Sequence, residues 1–355
     1  AFEERQNGLT LKINTNKRFS ETDFAHFFKG DWLYVTIYGG TCEGHTVEGR
    51  PYRGGYWLEI DKKTGAVRNL GASLTKDGLI CVEWDPYNRL LYAHTNRHGL
   101  LSVFDPASGK EEVLGKPWSD VQRDWPRGLT LMIAPDGKVY GGKPPRCTIW
   151  QYDPRTRRFE NLKLDMPVPK EVREADPNTP QGRKSLEDWD RSAMHMTLWD
   201  EKDRCFYFVR SYDMMLMRFF PPTEGKAARV EEVCDFGLPE SSQGYRPCPC
   251  VLVILGRTVY LTPYTGWGGI THLQSYDLES GRFTDHGPVV VEGGRRVNEV
   301  HSMVEGKDGK LYAVAFVFSI ENVDPVRPYG VRGDWPFHPR LMIIDPKTDF
   351  RVPQE

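Results

Sequence analysis

The chain has 355 residues and a formal net charge of -2, a balance that excludes a global electrostatic pull toward nucleic acid or an anionic membrane. Hydrophobic residues make up 39% and aromatic residues 12%, enough for a core of stacked sheets. No apolar run approaches the ~20 residues that span a bilayer, so a soluble protein is expected.

The first strand-like run is 9–13. From residue 24 onward one phrase returns six times: an apolar run, a tight polar turn, then an apolar strand carrying a tyrosine. The tyrosines are Tyr34, Tyr92, Tyr140, Tyr207, Tyr260 and Tyr312. A second hairpin signal follows, as at 61–65, 105–109, 153–156 and 277–281. A period of roughly 50 residues built only from hairpins predicts an all-β fold, a β-propeller of four-stranded antiparallel blades. With strands lettered A to D, the inner A strands are predicted to begin near Phe24, Gly78, Gly128, Ala193, Cys248 and Val300. A–B turns follow at 29–31, 85–88, 135–137, 200–203, 255–257 and 307–309. There glycine accepts positive φ, proline presets φ, and Asp or Asn bonds its own backbone. The C strands fall at 56–60, 101–104, 148–152, 215–219, 273–276 and 341–344, and no amphipathic helix of useful length is predicted.

Six units are countable, and the number leaves a seventh blade open. Because a ring must close, the run 9–13 is expected to join the last blade as its outer strand. A single domain over 1–355 is predicted, with proline- and charge-rich insertions near 167–190 and 319–339. Of the seven cysteines, Cys81, Cys205 and Cys250 lie in strand-like runs, while Cys234 and Cys248 bracket a loop and could pair. An odd count leaves at least one thiol free in a monomer.

In an A–B hairpin the start of A and the end of B lie together, so A starts and B–C loops open on one face. A starts bring His26, Arg127, His195, Arg246, Asn298, Glu299 and His301 to that face. B–C loops bring Glu43, His45, Arg53, His94, Arg97, His98, Arg210, Tyr212, Tyr264 and Trp267. Six of the nine histidines fall there. The six repeat tyrosines read as core, and His286 and His338 as solvent-exposed. His195 and His301 lie twelve and eleven residues before a repeat tyrosine, which suits channel lining or metal binding as well as catalysis. His45 sits in a glycine- and arginine-rich loop, 39–55, which points to function.

Glycoside hydrolysis normally needs two carboxyl groups about 5 to 10 Å apart. The only close acidic pair on this face is Glu43 and Glu48. A β-elimination on a uronic acid asks for a cation on the C6 carboxylate, a base near neutral pKa for the C5 proton, and an acid for the leaving oxygen. Arginine supplies the bidentate clamp, and histidine with tyrosine or a second histidine supplies base and acid. The inventory fits elimination better than hydrolysis.

On these residues the chain resembles the propeller-type polysaccharide lyases: oligogalacturonate lyases, ulvan lyases and the rhamnosyl-glucuronate lyases acting on gum arabic. In the latter two, a pair of histidines about twenty residues apart in an early blade acts with a later tyrosine and arginine, and His26 and His45 are nineteen apart. The resemblance implies His45 as base or acid with His26 its partner, Tyr92 at the tyrosine position, and Arg97, Arg127 or Arg210 on the carboxylate. Arg53, Arg210, Arg246, Tyr264 and Trp267 would bind substrate. It also implies a divalent metal, calcium or manganese, near His195, His301 and Glu299, with no organic cofactor. A secreted or periplasmic location goes with it, supported by a chain starting at Ala1 without an apolar leader. The expected partner is an oligosaccharide or polysaccharide, neither nucleic acid nor membrane. A related propeller group, α-L-rhamnosidases relying on a lone histidine, keeps hydrolysis open, and a non-catalytic sugar- or protein-binding propeller is a third reading.

Overall fold

The computed structural model describes residues 2–6, 9–13, 24–29, 32–37, 46–47, 50–51, 55–61, 66–95, 98–118, 130–143, 148–190, 192–237, 249–263, 271–291, 295–318 and 337–349. The chain falls into two compact units, Ala1–Met166 and Pro167–Glu355.

In the first unit, β1 (Phe2–Gln6) and β2 (Leu9–Ile13) form an antiparallel hairpin. The strands β3 (Phe24–Lys29) and β4 (Trp32–Ile37) lead into a small hairpin of β5 (Thr46–Val47) and β6 (Arg50–Pro51). With β7 (Tyr56–Asp61) and β8 (Val67–Ala72), the first sheet has the order β3-β4-β7-β8. The second sheet is β9 (Leu79–Asp85), β10 (Leu90–Thr95), β11 (Leu101–Asp105) and β12 (Lys110–Gly115). The third is β13 (Met132–Ile133), β14 (Val139–Lys143), β15 (Thr148–Asp153) and β16 (Arg158–Leu164).

The second unit opens with α1 (Lys170–Arg173) and α2 (Pro180–Asp190). Its fourth sheet is β17 (Met194–Asp200), β18 (Cys205–Arg210), β19 (Met215–Phe220) and β20 (Arg229–Asp235). The fifth is β21 (Pro249–Leu255), β22 (Thr258–Pro263), β23 (His272–Asp277) and β24 (Phe283–Pro288). The sixth is β25 (Val290–Val291), β26 (Arg295–Glu305), β27 (Leu311–Phe318) and β28 (Phe337–Ile344). Every pairing in these sheets is antiparallel, and the fold is a β-propeller of four-stranded blades. Five sheets run A to D in sequence order; the sixth instead adds β25 beside its A strand.

Leu9–Ile13 therefore pairs with β1, not with the last blade. The reason is in the sequence: Asn7 and Gly8 form the dipeptide best suited to a two-residue hairpin turn, and a local closure costs less chain entropy than a distant one. The expected second insertion is also shorter than 319–339, because β28 begins at Phe337.

The repeat tyrosines behave as packing residues. Tyr92, Tyr140, Tyr207 and Tyr260 are buried, while Tyr312 is half-buried. Three of the six stand four residues after an aspartate of the A–B turn: Asp136, Asp203 and Asp308. In two of these pairs the hydroxyl bonds the turn: Tyr207 donates to Asp203 at 2.7 Å and Tyr312 donates to Asp308 at 3.0 Å. Those two tyrosines thus pack their rings and satisfy their polar tips on the turn aspartates. C–D turns are held by aspartates whose side chains accept backbone N–H groups, as Asp105 does from Ala107 and Asp153 from Arg155. Between the first and second sheets Trp57 stacks on Phe104 at 4.8 Å. Gly141 is required by packing, since a Cβ there would enter the Trp150 ring.

The insertion at 167–190 is helical rather than irregular. Thr179 accepts the Gly182 N–H at 3.0 Å, an N-cap, and Pro180 opens the helix where its missing N–H costs nothing. The aromatic anchor of the helix is Trp189, which is buried and meets Tyr212 edge-on at 5.7 Å. With Leu186 and Trp189 as its only large apolar side chains, the helix leaves little hydrophobic periodicity to read. Cys81, Cys205 and Cys234 are free thiols.

Candidate functional site

In the second sheet, the end where the A strand starts and the B–C loop turns is built on a short polar segment, 73–78, between β8 and β9. Ser73, Thr75 and Asp77 are buried, whereas Leu74 is exposed. Alternation that buries the polar residues reverses the usual pattern, so each must find a partner. Ser73 donates its hydroxyl to Glu111 Oε1 at 2.7 Å, and the Leu74 N–H donates to Glu111 Oε2 at 2.8 Å. The Ser73 and Thr75 hydroxyls are 2.8 Å apart. Because Ser73 has spent its single proton on Glu111, the Thr75 hydroxyl is the donor. Thr75 Oγ1 in turn accepts the Asp77 N–H at 3.4 Å.

Asp77 is 0% exposed, and its carboxylate gathers donors from two loops. Oδ1 accepts the Gly78 N–H at 2.8 Å, and Oδ2 accepts the His98 N–H at 2.8 Å. The same Oδ2 lies 3.3 Å from His98 Nδ1. The imidazole itself is 55% exposed, and its Nε2 has no hydrogen-bond partner among the described residues. Thr95 braces the loop from below, its N–H donating to Leu100 O and its Oγ1 accepting the Leu100 N–H, both at 2.9 Å. A solvent-facing histidine held by a buried carboxylate is an arrangement able to take or give a proton.

Behind this end, one face of the second sheet carries Cys81 opposite His94 and Glu83 opposite Tyr92. His94 is fully buried between Trp118 at 5.6 Å and Trp150 at 6.4 Å. Although part of its surface reaches solvent, burial pushes the Glu83 carboxyl up to about 8. Burial, reinforced by the Glu83 charge, raises the Cys81 thiol far out of the reactive range.

Tyr92 corrects the expectation of a catalytic acid. It is 1% exposed in a core cluster with Leu101, Trp150 and Tyr152, and burial followed by the Asp85 charge pushes its hydroxyl well above the usual range. Arg210 likewise is no substrate clamp. Its guanidinium is 1% exposed and fully engaged: Nε and Nη2 donate to Asp213 at 2.9 and 2.5 Å, and Nη1 donates to Pro167 O at 2.5 Å and meets Glu232 at 2.9 Å. Burial alone would lower it, but Asp213 and Glu232 outweigh that and hold the cation. Arg210 fastens the start of the helical insertion to the fourth sheet.

His195 is buried on β17 beside a bulge, where Met196 takes a left-handed φ of 51°. His26 lies on β3, and Glu299 and His301 on β26, with only their strand positions described. His45, Arg53, Arg97, Arg127, Arg246, Tyr264 and Trp267 lie outside the described residues. No group of three or more His, Cys, Asp or Glu able to hold a metal ion occurs among the described residues. His286, expected at the surface, is half-buried and hydrogen-bonded to Ser275 at 2.8 Å. A cleft of about 260 Å³ lined by Tyr87, Asp136 and Arg155 lies at the opposite, A–B turn end and holds no acid–base pair of this kind.

Solved structures share the fold. An auxiliary nutrient binding protein from Bacteroides thetaiotaomicron aligns with a TM-score of 0.54 at 12% identity, over 81% of this chain and 65% of its own. Another, from Bacteroides ovatus, aligns with a TM-score of 0.53 at 14% identity, over 82% and 66%. This chain therefore spans just under two thirds of the length of those two proteins. A luciferin-regenerating enzyme aligns over 91% of both chains, with a TM-score of 0.53 at 8% identity. These likenesses establish the fold alone. No family model and no curated protein matches the sequence. Among the described residues no helix is long and apolar enough to cross a membrane.

Proposed function

We propose that the chain is a carbohydrate-active lyase that cleaves a uronate-containing oligosaccharide or polysaccharide by β-elimination at the end of the sheets where A strands start and B–C loops turn. The observation that carries the reading is His98, an exposed imidazole held at that end by the buried carboxylate of Asp77. Arg97 is its neighbour in sequence and would supply the carboxylate clamp beside the proton-transfer group, with Arg53 and Arg127 as further candidates from the sequence. His26 and His45 enter on the likeness to propeller lyases, as partners for the leaving oxygen. A secreted or periplasmic location goes with a polymeric substrate.

The test is ultraviolet absorbance during incubation with a panel of uronate glycans, with and without divalent metal. Elimination leaves a C4–C5 double bond conjugated to the carboxylate, so absorbance rises on a substrate. Sugar release without absorbance would move the protein to glycoside hydrolysis. The second reading is non-catalytic sugar binding, favoured by the nutrient binding proteins that share the fold. Saturable binding with no product of either kind would select it.

A further inference from the structure

We infer that Asp77 and His98 form an acid–base dyad in which Nε2 of His98 transfers the proton and Asp77 is the positioning residue. The inference rests on the acid–base reading of this end and assigns the atoms within it.

The assignment follows from counting hydrogen-bond capacity. Asp77 is an acceptor with two oxygens, and each already accepts a backbone N–H, from Gly78 and from His98. Those two bonds fix the carboxylate against both loops and leave it no freedom to turn. The His98 ring then presents Nδ1 to Oδ2 at 3.3 Å. A neutral imidazole carries one proton, and a carboxylate facing Nδ1 selects the tautomer with the proton on that nitrogen. The lone pair is thereby left on Nε2 of a ring that is largely open to solvent. The Asp77 backbone is held from two directions as well: its carbonyl accepts the Gly55 N–H at 2.8 Å, and its N–H joins the Thr75–Ser73–Glu111 chain. The carboxylate thus has a fixed seat running back to β12.

In the elimination, Nε2 of His98 takes the C5 proton of the uronate. The C5–H electron pair forms the C4–C5 double bond, the C4–O bond breaks with its electrons on oxygen, and a second acid at this end protonates that oxygen. The proton gained by His98 balances the one given to the leaving group. Asp77 keeps the ring in position through the transfer.

The tautomer can be read with no substrate at all. The full chain, labelled with ¹⁵N-histidine, gives long-range ¹H–¹⁵N correlations in which His98 is assigned by its loss in His98→Ala. The expected pattern at alkaline pH is a protonated Nδ1 and a bare Nε2. A ring protonated on Nε2, or averaged between tautomers, would overturn the dyad even if the protein proves to be a lyase. The milder variant Asp77→Asn should shift His98 toward the other tautomer or an average. If it leaves the His98 signals unchanged, Asp77 is not the positioning residue. Once a substrate is found, His98→Ala should lower kcat at least ~100-fold. Loss of all uronate turnover in wild type with the expected tautomer present would sink the lyase reading but not the dyad geometry.

Discussion

Asp77 holds His98 twice, accepting its backbone N–H at 2.8 Å and facing its Nδ1 at 3.3 Å with the same oxygen. One buried oxygen therefore meets both the loop backbone and the ring. Replacing Asp77 with Asn puts an NH₂ group against one of the two sets of donors, whichever way the amide turns. Denaturant unfolding should show a loss of about 1–3 kcal/mol. An unchanged midpoint would mean that the carboxylate does not organise the loops.

Arg210 has a structural task, and its removal should be felt in stability. Arg210→Met leaves the Pro167 carbonyl and the Asp213 carboxylate without their shared donor. Because Asp213 and Glu232 are partly open to water, the cost should fall at about 3 kcal/mol, the lower end for a broken buried pair. Proteolysis should then cut first within the helical insertion. Full stability with loss of sugar binding would restore Arg210 to the substrate side.

Glu83 makes stability depend on pH. Its carboxyl is raised from the ordinary range to about 8 in the folded chain, with burial as the cause. The folded state then binds a proton that the unfolded state has released, so this contribution is complete below the unfolded value and is lost as pH rises through about 8. Glu83→Gln should flatten the decline in Tm between about pH 5 and pH 8 and should stabilise the protein at pH 8 by up to about 4 kcal/mol. A wild-type Tm that rises over this interval in step with the variant would contradict the assignment.

The repeat tyrosines offer a graded comparison. Tyr207→Phe removes a hydroxyl bonded to Asp203 at 2.7 Å beneath a buried ring, and should cost about 1 kcal/mol. Tyr312→Phe removes a longer bond of 3.0 Å to an exposed Asp308 and should cost less. Equal unfolding midpoints for the two variants would show that the turn bond is not what distinguishes them.

Much of the fold was legible because the hairpin code is local. Aspartate four residues before tyrosine, as at Asp203 and Tyr207, marks an A–B turn and the strand after it, and nothing distant is needed to form either. Helix α2 was hidden because it carries only two large apolar side chains, Leu186 and Trp189, although Thr179 and Pro180 stood at its start as cap and first residue. The candidate site was legible only in part. His98 belongs to the predicted face, but its importance comes from Asp77, twenty-one residues earlier in the chain. Arginine on that same face suggested ligand binding at Arg210, and only tertiary contacts show that guanidinium already spent on Asp213, Glu232 and Pro167.

The most direct measurement compares wild type and His98→Ala, both shown to be folded, for absorbance gained on the uronate panel. A rise in wild type that falls at least ~100-fold in the variant is the predicted result. Equal rates in the two proteins, or sugar released by wild type with no absorbance, would contradict the proposal that His98 drives a β-elimination.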